Sequence, residues 1–260
     1  MLMWRPCFLL VWLLLALPLG AGASVCDTPA EVMAGARAMP AVLRGAQLLS
    51  TGLLSTGLLG TGSGPLRVLV LGSGSITGPG ASGAEASWPA RLRTLLEARF
   101  PGRGVDVTIR GGRGVTVADH LALLRDGLGA DPPSLVVWQA GTVEAVGGLD
   151  PDEMGEAMRQ GAERIRRRGA DLIIMDQQFS RFLRANTNIE PYRDKLRLVA
   201  AASGASFFSR YDLMLHWVDS GKVDMERAPR ASRIALTDRL NDCLARALSD
   251  FIAQGVSEAR

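Results

Sequence analysis

Residues 66–80 read LRVLVLGSGSITGPG. The first six residues form a short, nearly continuous apolar run, and this run ends directly in a turn of glycines and hydroxyl side chains. Such a run is typical of a parallel strand that is buried on both faces. The stretch therefore predicts the first strand of an α/β sheet, with a polar turn at the strand's carboxyl end.

The chain beyond this strand alternates between strand-like and helix-like segments. The other predicted strands are Val105–Ile109, Ser134–Trp138, Asp171–Met175 and Ala205–Phe208. The predicted helices are Trp88–Phe100, Val115–Leu128, a helix from Asp150 to about Arg168, Ile189–Ser203 and a last helix capped by Thr237. Five apolar strands separated by amphipathic helices predict a parallel sheet with helices on both faces.

One predicted helix start has three supporting residues. Asp150 suits the N-cap, Pro151 suits the first helical position, and Glu153 suits the return arm of a capping box. The carboxyl ends of parallel strands gather functional groups. We therefore expect a functional site where the strands run into their following loops.

The composition excludes several classes of protein. The chain has 260 residues, of which 47% are hydrophobic, 21% charged and 5% aromatic, so a disordered chain, a collagen-like chain and a small disulfide knot are excluded. The formal charge of +3 indicates little about partners. The densest basic run, Arg164–Arg168, has no aromatic residues interleaved and is interpreted as a solvated helix face, so no nucleic-acid partner is expected.

The first 23 residues are typical of a secretory signal peptide. Arg5 precedes an apolar run from Phe8 to Leu19, and the segment ends in Ala21-Gly22-Ala23. We expect cleavage after about residue 23 and a periplasmic or secreted protein, with membrane contact only through this segment. An uncleaved anchor is the alternative. A lipoprotein attached at Cys26 is a further alternative, which Val25 disfavours because lipid attachment prefers a small residue there.

Two cysteines remain in the mature chain, because Cys7 leaves with the signal peptide. An even number of cysteines in an exported protein predicts a disulfide, here between Cys26 and Cys243. Two unpaired thiols are the alternative. Residues 24–65 are interpreted as an N-terminal segment and a low-complexity linker, because the unit Thr-Gly-Leu-Leu recurs within residues 45–65. The main domain is predicted to span residues 66–255.

The residues of the turn after the first strand, taken alone, are compatible with three interpretations. Its small and hydroxyl side chains could place a serine nucleophile, form a phosphate-binding nest, or make a plain strand-to-helix turn. No lysine follows as in a P-loop, and the glycine spacing does not match a dinucleotide-binding loop. No cluster of histidine, aspartate and cysteine has metal-ligand spacing, so neither a metal nor a cofactor is expected.

Several blocks together resemble the SGNH/GDSL hydrolase family, in particular a bacterial exported subgroup. The blocks are LGSGSITG with the helix SWPARL, the glycines at 111–114, LVVWQAGTVEA, YDLMLHW and LTDRLNDCLARAL, and they span Leu66–Ile252. The resemblance implies a flavodoxin-like three-layer α/β/α sandwich and hydrolysis of acyl or acetyl esters. It implies a serine nucleophile, a histidine base with an aspartate three residues earlier, and an oxyanion held by a backbone amide, a glycine and an asparagine.

In the first three blocks, this sequence has only some of the residues that the family uses for catalysis. When the outer glycines of the first block are matched, the nucleophile position falls on Gly74, and Ser75 comes one residue late. The glycines of the next two blocks are retained as Gly111 and Gly141. The asparagine position of the third block holds Val143, whose side chain cannot donate to an oxyanion.

The positions before the last helix also lack the expected chemistry. The histidine position is Ala235 and the aspartate position is Ser232. Without a base, a serine stays near its free pKa and is a weak nucleophile. Loss of one oxyanion donor typically lowers the rate by about 10²–10³. The sequence therefore predicts an impaired ester hydrolase.

A relocated relay is the alternative. Asp212 and His216 are four residues apart, so on a helix they share a face, and they could activate Ser75. We expect instead that His216 has a structural role beside Trp217, and that His120 lies on a helix in a surface or packing role.

Three hypotheses follow. The first is an exported, catalytically impaired SGNH-fold protein that keeps a shallow cleft for a glycan, an acyl ligand or a protein partner. The second is an active serine esterase that uses Ser75. The third is a structural or assembly factor that borrows the fold, since a fold does not dictate activity.

Overall fold

The computed structural model describes residues 26–47, 65–102 and 104–260. The predicted signal peptide and most of the predicted low-complexity linker lie outside the described residues. The strands are β1 (Leu66–Ser73), β2 (Val105–Gly112), β3 (Leu135–Gln139), β4 (Asp171–Met175) and β5 (Ser206–Phe208).

The five strands form one parallel sheet in the order β2-β1-β3-β4-β5. Val70 pairs with Ile109 on one side and with Val137 on the other, which fixes the register of the central strand. The predicted parallel sheet and the flavodoxin-like strand order are confirmed. Strands β1 and β2 run two and three residues further than predicted, as far as Ser73 and Gly112.

The helices alternate with the strands, as the spacing predicts. Among the described residues they are α1 (Ala30–Met33), α2 (Pro40–Gln47), α3 (Trp88–Arg99), α4 (Val117–Gly127), α5 (Thr142–Gly147), α6 (Pro151–Arg167), α7 (Arg181–Asn186), α8 (Glu190–Ser203), α9 (Arg210–Asp219) and α10 (Arg233–Glu258). Short 3₁₀ turns cover Gly74–Thr77, Ala84–Ala86 and Arg230–Ser232.

Two predicted helix caps need correction. Asp150 is the N-cap of α6, as predicted, and its carboxylate accepts a hydrogen bond from the Asp152 amide at 2.7 Å; however, no return bond from Glu153 forms. The last helix begins at Arg233 rather than after Thr237. Thr237 lies inside that helix, where its hydroxyl donates to the Arg233 carbonyl at 2.9 Å. A threonine one turn inside a helix can bond backward in this way, so its presence does not mark the start.

Helices cover both faces of the sheet. Helix α3 packs against α10, and α6 lies between α4 and α8. The strands β1 and β3 between these layers are almost completely buried. The face under α6 is closely packed, since a Cβ on Gly161 would lie 2.2 Å from the ring of Trp138.

The N-terminal segment packs onto the same body. The amide of Phe207 donates to the carbonyl of Gly35 at 3.0 Å, which covers part of the edge strand β5, and the Val42 amide donates to the Asp171 carboxylate at 2.9 Å. The predicted disulfide joins Cys26 to Cys243, whose Cα atoms are 4.8 Å apart. The predicted domain boundaries themselves stay predictions. In the part of the chain that is described, no helix has the length and apolar character that crossing a bilayer requires.

Candidate functional site

The strand order places a crevice between the carboxyl ends of β1 and β3. These neighbouring strands have crossovers that leave in opposite directions, and in open α/β sheets ligands bind at such a point. Ser75 follows β1 on the 3₁₀ turn Gly74–Thr77 and is half-buried. Gln139 is the last residue of β3 and is buried. The crevice therefore brings a serine hydroxyl and a buried amide together.

The amide of Gln139 connects both serines of the first turn. The Ser75 hydroxyl donates to Gln139 Oε1 at 2.8 Å, and Gln139 Nε2 donates to Ser73 Oγ at 3.3 Å. A serine hydroxyl can donate or accept, so the orientation of the amide is fixed by Arg210, whose Nη1 can only donate and lies 3.1 Å from Gln139 Oε1. An amide does not accept a proton at neutral pH, so Gln139 positions Ser75 without serving as a base.

The second partner of Ser75 is Arg210, the first residue of α9. Its Nη1 donates to Ser75 Oγ at 3.0 Å and to Gln139 Oε1 at 3.1 Å, and its Nη2 donates to Gln178 Oε1 at 3.4 Å. The side chain is buried, and burial lowers the pKa of Arg210 to about 10, against the opposing charge of Asp176. The guanidinium is therefore still charged at neutral pH.

A buried ion pair supports the end of β4. Asp176 accepts hydrogen bonds from Arg193 Nε at 2.9 Å and from the Tyr211 amide at 2.9 Å. Burial raises the pKa of Asp176 to about 6, and the charge of Arg193 offsets part of this effect. Arg193 also donates to Asp212 at 2.8 Å, so this cluster ties α8 to the start of α9.

His120 lies below the crevice, on α4. Trp138 Nε1 donates to His120 Nδ1 at 2.9 Å, and because an indole can only donate, Nδ1 must be the acceptor. The imidazole proton is therefore on Nε2, which faces the backbone of Gly72. Burial lowers the pKa of His120, so the ring stays neutral. No hydrogen bond joins it to Ser73 or Ser75 among the described residues.

The other histidine is not close enough to Ser75 to bond with it. His216 Nε2 is 3.1 Å from the Asp27 carboxylate, and the Trp217 indole donates to the Asp27 carbonyl at 2.8 Å. Asp212, the other member of the hypothetical relay, instead binds Arg193 and the Ser209 hydroxyl. The structure therefore brings none of the relay's three members into hydrogen-bond contact with one another.

The two retained glycines occupy special backbone positions. Gly111 pairs with Gly72 and has φ +117°, and a Cβ there would lie 2.1 Å from the Gly72 carbonyl oxygen. Gly141 has φ +93°, and its amide donates to Glu144 Oε2 at 3.1 Å. The Gly141 amide is thus occupied within the chain.

The four positions at which the resemblance predicts substituted catalytic residues lie on the first turn, on α5 and around the start of α10. Gly74 begins the turn that carries Ser75, and Val143 is a half-buried residue in the first turn of α5. Ser232 and Ala235 are exposed beside and within the start of α10, and the Ser232 hydroxyl donates to the Pro229 carbonyl at 3.0 Å. None of these four residues is hydrogen-bonded through its side chain to Ser75.

Sequence reasoning did not single out Gln139 and Arg210. Gln139 is the last residue of β3, and Arg210 comes two positions after the end of β5. A polar side chain at the carboxyl end of a strand is the feature of the sequence that could have indicated both residues. Their contact joins positions 71 residues apart, and no local pattern encodes such a separation. In the described ranges, no group of three or more histidine, cysteine, aspartate and glutamate side chains is placed to hold a metal ion.

Solved structures with the same fold include two esterases. The crystal structure of TesA matches with a TM-score of 0.56 and 22% identity, covering 71% of this chain and 99% of that one. The acetylxylan esterase Axe2 from Geobacillus stearothermophilus matches with a TM-score of 0.57 and 19% identity, covering 73% and 95%. The psychrotrophic esterase EstA from Pseudoalteromonas sp. matches at 0.56 and 12%, covering 72% and 99%. The fold is therefore that of an SGNH-like hydrolase.

The family follows from a second comparison. Residues 25–258 match the model of the Non-GDSL lipase-like family, and this match spans the whole described body. The chain belongs to the Non-GDSL lipase-like family. No curated protein matches it significantly.

Proposed function

We propose that this protein is an exported SGNH-fold protein that binds a glycan, an acyl ligand or a protein partner in the crevice between β1 and β3, with ester hydrolysis lost or strongly weakened. The observation that carries the proposal is the surroundings of Ser75. Its hydroxyl contacts a glutamine and an arginine, and neither histidine lies in hydrogen-bond contact with it.

The absence of a base near Ser75 limits its reactivity. A serine attacks an ester efficiently only when a neighbouring group takes its proton. Gln139 accepts the Ser75 hydrogen bond but cannot take the proton. The charged guanidinium of Arg210 donates a hydrogen bond to Ser75 Oγ. This bond occupies a lone pair of the oxygen and makes the oxygen less nucleophilic. Val143 at the asparagine position removes one oxyanion donor as well.

Export is supported by the disulfide between Cys26 and Cys243. Disulfides persist in oxidising compartments and are rare in the cytosol. Together with the predicted signal peptide, this bond favours a periplasmic or secreted location. Comparing the apparent mass and thiol content of the protein in periplasmic and cytosolic fractions would test the location.

The direct test of impaired hydrolysis uses a generic ester. Purified protein and the Ser75→Ala variant are incubated with p-nitrophenyl acetate, and release of p-nitrophenolate is followed. We expect both proteins to match the buffer rate. Enzyme-like turnover that the single substitution abolishes would overturn the proposal.

An active esterase is the second candidate, and one observation favours it. Ser75 lies in the turn at the carboxyl end of β1, is half-buried, and lies beside a cation that could stabilise an anionic intermediate. The same assay decides between the two candidates. Copurification of a stable protein partner, without stabilisation by any small ligand, would favour an assembly role instead.

A further inference from the structure

Arg210 is a buried cation without a carboxylate partner. Its side chain is 3% exposed, and its hydrogen bonds go only to neutral oxygens of Ser75, Gln139 and Gln178. Its Nε is buried and has no hydrogen-bond partner, and no ion pair within the described ranges includes this residue. Burying an unpaired charge is costly, so buried arginines normally face a carboxylate or a bound anion.

The nearest buried carboxylate is already engaged. Asp176 accepts hydrogen bonds from Arg193 at 2.9 Å and from the Tyr211 amide at 2.9 Å. The charge of Asp176 favours the protonated form of Arg210 and so raises its pKa, but the two side chains form no hydrogen bond. The positive charge of Arg210 is therefore compensated only by the long-range attraction of Asp176 and not by direct contact with a carboxylate.

Ser75 connects this charge to the surface. Its oxygen accepts the Arg210 hydrogen bond, and its own proton points to Gln139 Oε1. Because Arg210 also donates to Gln139 Oε1 at 3.1 Å, this oxygen keeps a donor if the Ser75 hydroxyl turns away. A hydroxyl that accepts from a cation is itself a stronger donor, since hydrogen bonds in a chain polarise one another. Ser75 is thus suited to donate outward to an anion.

There is open space on the β2 side of the first turn, across β1 from the crevice. Gly112, the register partner of Ser73, has no heavy atom within 4 Å of the position that a Cβ would take. A ligand group can therefore approach the first turn from the side of β2. This space lies beside Ser73, which is the register partner of Gly112 and accepts a hydrogen bond from Gln139 Nε2.

We propose that Ser75 and Arg210 bind a carboxylate group of the ligand, with the Ser75 hydroxyl donating to the carboxylate and Arg210 holding and polarising that hydroxyl. The inference rests on the proposed function and specifies its ligand. A carboxylate carries one negative charge and matches one unpaired guanidinium, whereas a phosphate monoester carries nearly two. The carboxylate could belong to a uronic acid of a glycan or to a free fatty acid.

The test compares matched ligands that differ in charge. Binding of trigalacturonate and its methyl ester, and of hexanoate and hexanamide, is measured by NMR titration of the purified protein. We expect at least one carboxylate to bind about tenfold or more tightly than its neutral counterpart. The pair that shows the preference identifies the source of the carboxylate. Equal or weaker binding of both carboxylates would overturn the inference.

Variants assign the preference to these two residues. Ser75→Ala and Arg210→Met should abolish it, and Arg210→Lys should reduce it several-fold because lysine lacks the planar fork of donors. Arg125→Gln, on the exposed face of α4, is the matched control and should leave the preference unchanged. If Arg210→Met does not fold, Ser75→Ala and Arg210→Lys decide. An unchanged preference in folded Ser75→Ala would contradict the inference.

The hydrolysis assay and the binding measurement together distinguish a failure of this inference from a failure of the proposed function. If the protein neither hydrolyses p-nitrophenyl acetate nor prefers a carboxylate, the inference fails and the proposed loss of hydrolysis stands. If it hydrolyses the ester through Ser75 and also prefers the carboxylate, the proposed function fails and the inference stands, because a carboxylate is the product of ester hydrolysis.

Discussion

The partners of Ser75 decide what its hydroxyl can do. In a serine hydrolase the hydroxyl donates to a base, whereas here it donates to the Gln139 amide and accepts from the Arg210 guanidinium. A hydroxyl between an amide oxygen and a cation is a good hydrogen-bond donor and a poor nucleophile. The same crevice that would hold an ester can therefore hold an anion.

The neutral state of His120 predicts a pH dependence of stability. Burial lowers the pKa of His120 in the folded protein, so below about pH 6.5 the unfolded chain binds more protons than the folded one. Stability should therefore fall as the pH falls, by up to about 1.4 kcal/mol per pH unit from this residue. Urea unfolding at pH 7.5, 6.5 and 5.0 measures the slope.

The control for this prediction is His120→Gln, whose amide oxygen can still accept from Trp138. Asp176 acts in the opposite direction in both proteins, because its raised pKa of about 6 makes stability fall as the pH rises from about 4 to 6. The difference between the two proteins isolates His120. Parallel curves for wild type and variant would contradict the prediction.

At the scale of elements, the strands were the most predictable part of the fold. A strand covered on both faces needs apolar side chains along most of its length. The segments LVVWQ (β3) and DLIIM (β4) can therefore be recognised as buried strands from the sequence alone. The short helices α1 and α2 were not predicted; α1 is a four-residue helix that contacts α9, and α2 contacts β1, β4 and α10, so both depend on distant parts of the chain.

The candidate site was predictable only in its position. The structure places the turn with Ser75 at the carboxyl end of β1, as the strand pattern predicts, and ligands bind at such ends in parallel sheets. The strand pattern could not identify the partners, because Gln139 and Arg210 meet Ser75 from positions 64 and 135 residues away. The resemblance to SGNH hydrolases predicts substitutions at the family's catalytic positions, but it does not predict which side chains surround Ser75 in space.

Two glycines of α6 give a matched test of packing on the sheet. A Cβ on Gly161 would lie 2.2 Å from the fully buried Trp138 ring, whereas a Cβ on Gly155 would lie 2.4 Å from Cγ and Cδ of Lys195, a partly exposed side chain that can take another rotamer. Both substitutions to alanine raise helix propensity by about 1 kcal/mol. We expect Gly155→Ala to be neutral or stabilising and Gly161→Ala to destabilise by about 1–3 kcal/mol.

Thermal and urea unfolding of the two alanine variants measure this difference. Equal stability of Gly161→Ala and Gly155→Ala would show that the helix can move away from the sheet without cost. The account of a closely packed face under α6 would then be incorrect.

At the scale of the whole molecule, the N-terminal segment joins the core of the hydrolase-like body. Val32, Met39 and Val42 are buried among residues of the sheet and of α10. Asp27 contacts Lys222 as well as His216, and these contacts lie next to the disulfide. These contacts tie the described N-terminal segment to α9 and α10.

Reduction of the disulfide should destabilise the protein strongly. The bond joins residues 217 positions apart, and a loop of that length restricts the unfolded chain considerably. The loop-entropy argument gives a loss of about 5 kcal/mol in the free energy of unfolding. Urea unfolding with and without a reductant measures this loss.

The control for reduction is the double variant Cys26→Ser, Cys243→Ala, in which alanine avoids placing a hydroxyl at the buried position 243. Its stability should not respond to the reductant. If reduction leaves the wild-type protein equally stable, the bond contributes nothing, and the N-terminal segment is held by its other contacts alone.

The central claim is that the hydrolase-like fold presents Ser75 without the means to activate it. Labelling with a fluorophosphonate probe, followed by mass spectrometry of the peptide that contains Ser75, measures this most directly, because such probes modify only activated serines. We predict no probe on Ser75 at concentrations and times that label an active serine esterase completely. Stoichiometric modification of Ser75, absent from the Ser75→Ala variant, would contradict the account.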